Sequence, residues 1–173
     1  MVEWVTVTQG EFAVSGRSDV AFTTILGSCI ACCLWDPARK MGGMNHLLLA
    51  GEPQTDGLQN SRSVNVMELL INELIKSGAR RESLQAKVFG GATMIDGLSN
   101  IGAQNIAFTF AFLEREHIPC TGQSVGGKRA RRVHFWPASG IAKQKLQCGD
   151  RKLDTDPADA PTQVQTENGV ELF

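Results

Sequence analysis

Thr23-Thr24-Ile25-Leu26-Gly27-Ser28-Cys29-Ile30-Ala31-Cys32-Cys33-Leu34-Trp35 leads through Asp36-Pro37-Ala38-Arg39-Lys40-Met41 into Gly42-Gly43-Met44-Asn45-His46-Leu47-Leu48-Leu49. Two apolar runs flank an Asp-Pro step that suits the first two positions of a turn, so the stretch reads as strand, turn, strand. With the turn centred on Pro37-Ala38, Leu34 faces Met41 and Cys29 faces His46. Directly opposed side chains of an antiparallel pair have Cβ atoms roughly 4.5 to 5.5 Å apart, within reach of proton transfer from a thiol to an imidazole. A longer loop on the Lys40-Met41-Gly42 side makes the contact diagonal, and a slip of one residue turns His46 to the other face.

Upstream, Trp4-Val5-Thr6-Val7-Thr8 and Glu11-Phe12-Ala13-Val14 predict two short strands, and Val20 to Leu26 a third that enters the Gly27-Ser28 bend. Downstream, 51 to 60 is polar and reads as a loop. A helix is expected from about Arg62 to Ser77, capped by Ser61 or Ser63 and ended by Gly78, with Val64, Met67, Leu70, Ile71 and Leu74 as its apolar stripe. Ala86 to Phe89 predicts a strand running into Gly90-Gly91-Ala92. A second helix is expected over Asn100 to Glu116, then an extended Ile118 to Thr121. Arg132 to Trp136 and Ile141 to Leu146 read as a hairpin turning near Ser139-Gly140. Strands outnumber helices without alternating regularly with them, which predicts a single α+β domain over 1–148 with a β-rich core and two main helices.

The chain has 173 residues, 42% hydrophobic, with a net charge of -1. Length suits one domain with a real core, and this balance announces neither a nucleic-acid binder nor a disordered chain. Charge is uneven: residues 149–173 hold six acids and two bases, against twelve acids and fifteen bases elsewhere. That segment, with Pro157 and Pro161, reads as a disordered acidic tail whose last five residues form either a docking peptide or a frayed end. Five cysteines (29, 32, 33, 120, 148) and the absence of a leader-like or membrane-spanning run predict reduced thiols in the cytoplasm and no membrane insertion.

Cys29 follows a Gly-Ser bend, where its amide can serve as an oxyanion donor beside an attacking thiolate. The competing reading is a buried structural cysteine. Cys29-Ile30-Ala31-Cys32 also fits a redox Cys-x-x-Cys, and Cys29, Cys32, Cys33 and His46 a zinc set. On a strand, however, Cys29 and Cys32 point to opposite faces, and neither reading has its usual helix terminus or second ligand pair. Cys32, Cys33, Cys120 and Cys148 are read as packing residues. Gly126-Gly127-Lys128-Arg129-Ala130-Arg131-Arg132 lacks a phosphate-loop ending and aromatic interleaving. It reads as a solvated basic loop, or as an electrostatic docking site for an acidic protein through Arg129, Arg131 and Arg132.

From about Gly10 to Lys145 the chain resembles the chemoreceptor glutamine deamidases (CheD) of bacterial and archaeal chemotaxis. The resemblance rests on Leu26-Gly27-Ser28-Cys29, Leu34-Trp35-Asp36-Pro37, Gly42 through His46, Lys87-Val88-Phe89-Gly90-Gly91-Ala92, Ile101-Gly102 with Asn105, and Gly126-Gly127 followed by Arg131. It departs at Ala50, often Pro in the family, at Gln104, usually Arg, and at Ala130, usually Gly. The resemblance implies an α/β sandwich shared with deamidating toxins and a catalytic Cys29, His46 and Thr23, with Thr24 as the alternative third member. It further implies hydrolysis of glutamine side chains in methyl-accepting chemoreceptors through a cysteine thioester, with Ser28 and Cys29 amides holding the oxyanion. No metal or organic cofactor is implied, nor any nucleic acid, whereas a CheC-like phosphatase is a possible partner. The alternative is a regulatory module that binds receptors or such a phosphatase without turnover.

Overall fold

The structure, a computed structural model, describes residues 1–49, 57–94, 100–147 and 170–173, and along 57–64 the backbone alone. Ten strands and two α-helices follow one another as β1 (Glu3–Thr6), β2 (Phe12–Ser15), β3 (Val20–Leu26), β4 (Ile30–Asp36), β5 (Met41–Asn45), α1 (Gly57–Lys76), β6 (Gln85–Gly90), α2 (Ile101–Arg115), β7 (Cys120–Val125), β8 (Arg131–Trp136), β9 (Ile141–Leu146) and β10 (Val170–Leu172). The strands form two five-stranded mixed sheets. One, sheet A, has the order β1-β3-β8-β9-β10; the other, sheet B, has the order β2-β5-β4-β6-β7.

The layering follows from which residues are apolar on both faces. Along β4 every residue but Trp35 is buried, because Ala31 and Cys33 pack toward sheet A with Phe22, Leu26, Val133 and Phe135, while Ile30, Cys32 and Leu34 pack toward the helices. Sheet B is therefore the middle layer, with α1 lying over β2 and β5 and α2 over β4 and β6. Met67, Leu70, Ile71 and Leu74 of α1 are almost fully buried there, as the helical stripe predicts. The mixed α/β sandwich expected from the sequence is the fold observed.

Several boundaries differ from expectation. Helix α1 already runs at Gly57, so Ser61 and Ser63 lie inside it and cannot cap its start. The last residues are not frayed: β10 pairs antiparallel with β9, Phe173 exchanges both backbone hydrogen bonds with Ala142, and its ring packs edge-on against Phe89. The rest of the expected tail, 149–169, lies outside the described residues, as does Cys148. Cys32 and Cys33 are packing residues, but Cys120 is exposed at the start of β7 and donates its thiol to the Gly122 carbonyl. Among the described residues no helix is long and apolar enough to cross a membrane.

Candidate active site

The hairpin β4–β5 has a four-residue turn, 37–40, rather than a two-residue one. Cys33 therefore faces Met44, and Leu34 faces Gly43. The register differs from the two-residue reading by two positions. Because side chains alternate with period two, such a slip preserves the face, and Cys29 and His46 remain on the side toward sheet A. Ile30 pairs with Leu47, so Ala31 is the neighbour of His46 across the strands and Cys29 lies diagonal to it.

Past Asn45 the two chains part. The Cys32 amide donates to the Asn45 side chain (3.0 Å), and the His46 backbone turns to the lead-in of β2, donating to the Glu11 carbonyl (3.0 Å) and accepting from the Gly10 amide (2.8 Å). They meet again where Ile30 and Leu47 exchange hydrogen bonds of 2.9 and 2.7 Å. His46 is thus fixed between two strand contacts, at 8% exposure, and Cys29 sits half-buried at the bend.

The third partner comes from sheet A. Phe22 and Leu26 of β3 point into the inter-sheet core, and Thr24, between them on the same face, points with them. Its Oγ1 lies 2.8 Å from His46 Nδ1 and donates to the Val7 carbonyl at 2.8 Å. A hydroxyl has one proton. With that proton given to Val7, Thr24 accepts from His46, so Nδ1 carries the ring hydrogen and Nε2 keeps a free lone pair. Thr23, expected in this role, faces the opposite side of β3, where its buried hydroxyl has no hydrogen-bond partner among the described residues. The physical reason is the alternation itself, and Phe22-x-Thr24-x-Leu26 was the signal for it.

Burial sets the protonation of the pair. The Cys29 thiol is pushed above its ordinary value by desolvation, partly offset by its own backbone amide. His46 is lowered below the ordinary imidazole value by desolvation, partly offset by the Val7 carbonyl. Both effects favour the neutral forms of the two groups, and among the described residues no hydrogen bond joins the Cys29 thiol to His46 in the resting site.

The bend that presents Cys29 is braced by the end of β6, the neighbour of β4 on the side away from β5. Gly91 and Ala92 donate to the carbonyls of Cys29 (2.8 Å) and Gly27 (2.9 Å). Gly90 has φ +112°, and a Cβ there would collide with the Cys29 carbonyl, so only glycine permits this approach. Gly102 brings the first turn of α2 onto the same loop, since a Cβ at that position would lie 2.8 Å from the Ala92 carbonyl. Next to it, the fully buried Asn105 donates to the Ser28 carbonyl (2.6 Å) and accepts from the Leu49 amide (2.8 Å). One carboxamide thereby ties the Cys29 bend to the strand leaving His46. In the sequence Asn105 stands out only as part of the Ile101-Gly102 motif, because its two partners are 77 and 56 residues away.

Among the described residues, the Ser28 and Cys29 amides donate to no backbone carbonyl, and Met94, 52% exposed, lies over Gly27 at the rim. The basic loop does not gather as expected. Arg131 is 3% exposed and donates to the carbonyls of Ser124 and Gly126, so it staples the glycine loop and cannot meet a partner. Arg129 donates to the Gln147 carbonyl, and Arg132 is exposed on the outer face of sheet A. Cys29 packs toward sheet A and Cys32 toward the helices, on opposite faces as the strand predicts.

The family model described as CheD chemotactic sensory transduction matches residues 56–146. A protein of Caulobacter vibrioides strain NA1000 / CB15N, named as a probable chemoreceptor glutamine deamidase CheD, is 48% identical over 173 residues, spanning 98% of this chain and 92% of its own. One of the same name from Agrobacterium fabrum strain C58 is 47% identical over 175 residues, spanning 98% and 96%. Among solved structures, the hypothetical protein YfiH of Bacillus licheniformis is similar with a TM-score of 0.46 at 10% identity, over 65% of this chain and 49% of that one.

Proposed function

The chain belongs to the CheD family, and from that premise we propose that it is a chemoreceptor glutamine deamidase that works through a thioester on Cys29. The observation that carries this reading is the His46–Thr24–Val7 chain of hydrogen bonds, which leaves the Nε2 lone pair free on the face that holds Cys29. His46 takes the thiol proton as sulfur attacks the carboxamide carbon of a glutamine side chain. The carbonyl oxygen becomes an oxyanion that the Ser28 and Cys29 amides face without a competing backbone acceptor. Collapse breaks the C–N bond, and the imidazolium gives its proton to the departing ammonia. His46 then removes a proton from water, which attacks the thioester, yielding glutamate and the free thiol.

Thr24 holds the ring through both protonation states, since Nδ1 donates to it throughout. The substrate class is a glutamine on an exposed helix of a chemoreceptor cytoplasmic domain, where the product adds one negative charge. Incubation of such domains with the protein should raise the mass of selected glutamines by about one unit, read by mass spectrometry. Cys29→Ala and His46→Ala should each abolish the change, a loss of at least ~10³-fold, while leaving the fold intact. Unchanged deamidation by folded Cys29→Ala protein would sink the reading.

A further inference from the structure

Among the described residues the two sheets are covered unequally. Sheet B has sheet A on one face and two helices on the other, whereas the outer face of sheet A carries no helix among the described residues. Strand register shows what points outward there. Trp4, Ile25 and Ile141 are 49%, 49% and 43% exposed, and Trp136 lies beside Trp4 with ring centroids 5.8 Å apart. Between and beyond these rings stand Arg132, Lys143 and Lys145, all exposed, with the Lys143 ammonium 5.4 Å over the Trp136 ring.

No Asp or Glu occupies an outward position of these five strands. Glu3, level with the core residue Val20, is bonded to Arg17, and Glu171, level with Gln144, is bonded to that side chain. The resulting field reaches His134 in the same face. Burial and then Arg132 and Lys143 all hold its imidazole below the ordinary value. Apolar surface ringed by one sign of charge marks an interaction site rather than a solvated face.

We propose that this outer face is a docking surface for an acidic amphipathic helix of a partner protein, which would lie on sheet A as α1 and α2 lie on sheet B. Strands are about 4.8 Å apart, so β1, β3, β8 and β9 offer a strip roughly 15 Å across, enough for one helix about 10 Å wide. Leucines on one side of such a helix would seat on the tryptophans and isoleucines, and carboxylates on its flanks would meet the three bases. A second copy of this chain is disfavoured, because a two-fold contact would set Arg132, Lys143 and Lys145 against themselves. Single-stranded nucleic acid would use the rings but give Ile25 and Ile141 no role. Three bases, at about 1 kcal/mol each on an anionic bilayer, fall short of stable attachment.

The proposal is independent of the chemistry at Cys29 and is tested on the full chain. The probe is a synthetic peptide of about 20 residues with Leu on one helical face and Glu on the other, long enough to form a helix when bound. Trp4 and Trp136 lie in the face, so their emission reports binding directly. The expected result is a saturable blue shift, weakened by roughly tenfold or more in Arg132→Glu/Lys143→Glu protein and recovered when that variant meets a peptide with Lys in place of Glu. Trp4→Ala should weaken binding, and Cys29→Ser should bind as the parent does. Circular dichroism verifies that the surface variants are folded. Absence of a shift, or equal binding of the same peptide with its residues scrambled, would overturn the proposal. So would tighter binding of anionic vesicles or an oligothymidylate at the same residues, or self-association that Lys143→Glu abolishes.

Discussion

The β4–β5 hairpin has two ends, and each is held by one buried polar side chain that serves the backbone. At the turn, Asp36 is fully buried and its carboxylate accepts from the amides of Ala38 (2.9 Å), Arg39 (3.2 Å) and Arg80 (2.7 Å). At the open end, Asn105 does the corresponding job for Ser28 and Leu49 with one donor and one acceptor. The first anchors a loop to the segment after α1 and has no reacting group nearby. The second fixes the separation of the two backbones that carry Cys29 and His46. The same device thus supports stability at one end and reactive geometry at the other.

Breaking Asp36 should have the larger effect on folding. Hydrogen bonds to a charged acceptor are worth about 1.5 to 3 kcal/mol each, and water can take over part of the amides that the exposed turn residues would leave unpaired. Asp36→Ala is therefore expected to destabilise by about 3 kcal/mol in urea denaturation, with deamidation per folded molecule unchanged. Breaking Asn105 should do the reverse. A displacement of the reacting atoms of about 1 Å costs up to roughly 100-fold in rate, so Asn105→Ala should lower kcat ~10- to 100-fold with little change in KM. Asn105→Asp is the sharper variant. It keeps the acceptor for Leu49 but sets a carboxylate against the Ser28 carbonyl, and it should fail as badly as alanine despite its shape. Equal loss of stability and equal retention of rate at both positions would erase the distinction between the two ends.

The sequence carries the turn end less well than the open end. Asp36-Pro37 announces a turn, but its length is set by Arg80, 44 residues away, and by Lys40 at φ +53°, a left-handed position with no glycine or asparagine to mark it. That is why the register read from local rules is two residues short. The pairing of faces survives because parity, not register, decides which side of a sheet a residue occupies. The layers were legible for a related reason: β4 is apolar on both faces, and α1 on one stripe. What local pattern does not encode is the long-range brace. Asn105, Gly90 and Gly102 act through contacts between α2, the end of β6 and the Cys29 bend, and no spacing rule connects those segments.

The smallest effect tests whether sheet A takes part in the chemistry at all. Thr24 is a neutral partner of His46, so its removal forfeits one buried hydrogen bond, about 1 to 2 kcal/mol, or roughly 5- to 30-fold in kcat. Thr24→Ser keeps the oxygen and should recover most of that loss. Thr23→Ala, one residue away on the opposite face, removes only an unpartnered hydroxyl and should leave the rate within about twofold. The pH profile gives an independent reading of the same ring. His46 must be neutral to accept the thiol proton, and desolvation, its largest cause of shift, disfavours the charged form. Activity should therefore hold as pH falls through the ordinary imidazole value of about 6.5 and decline only below it. Losing Thr24 removes an acceptor that holds Nδ1–H in both ring states but more strongly in the cation, so the decline should then move further toward acid. A larger loss from Thr23→Ala than from Thr24→Ala would transfer the third role back across β3, and with it the assignment of the face on which the chemistry occurs.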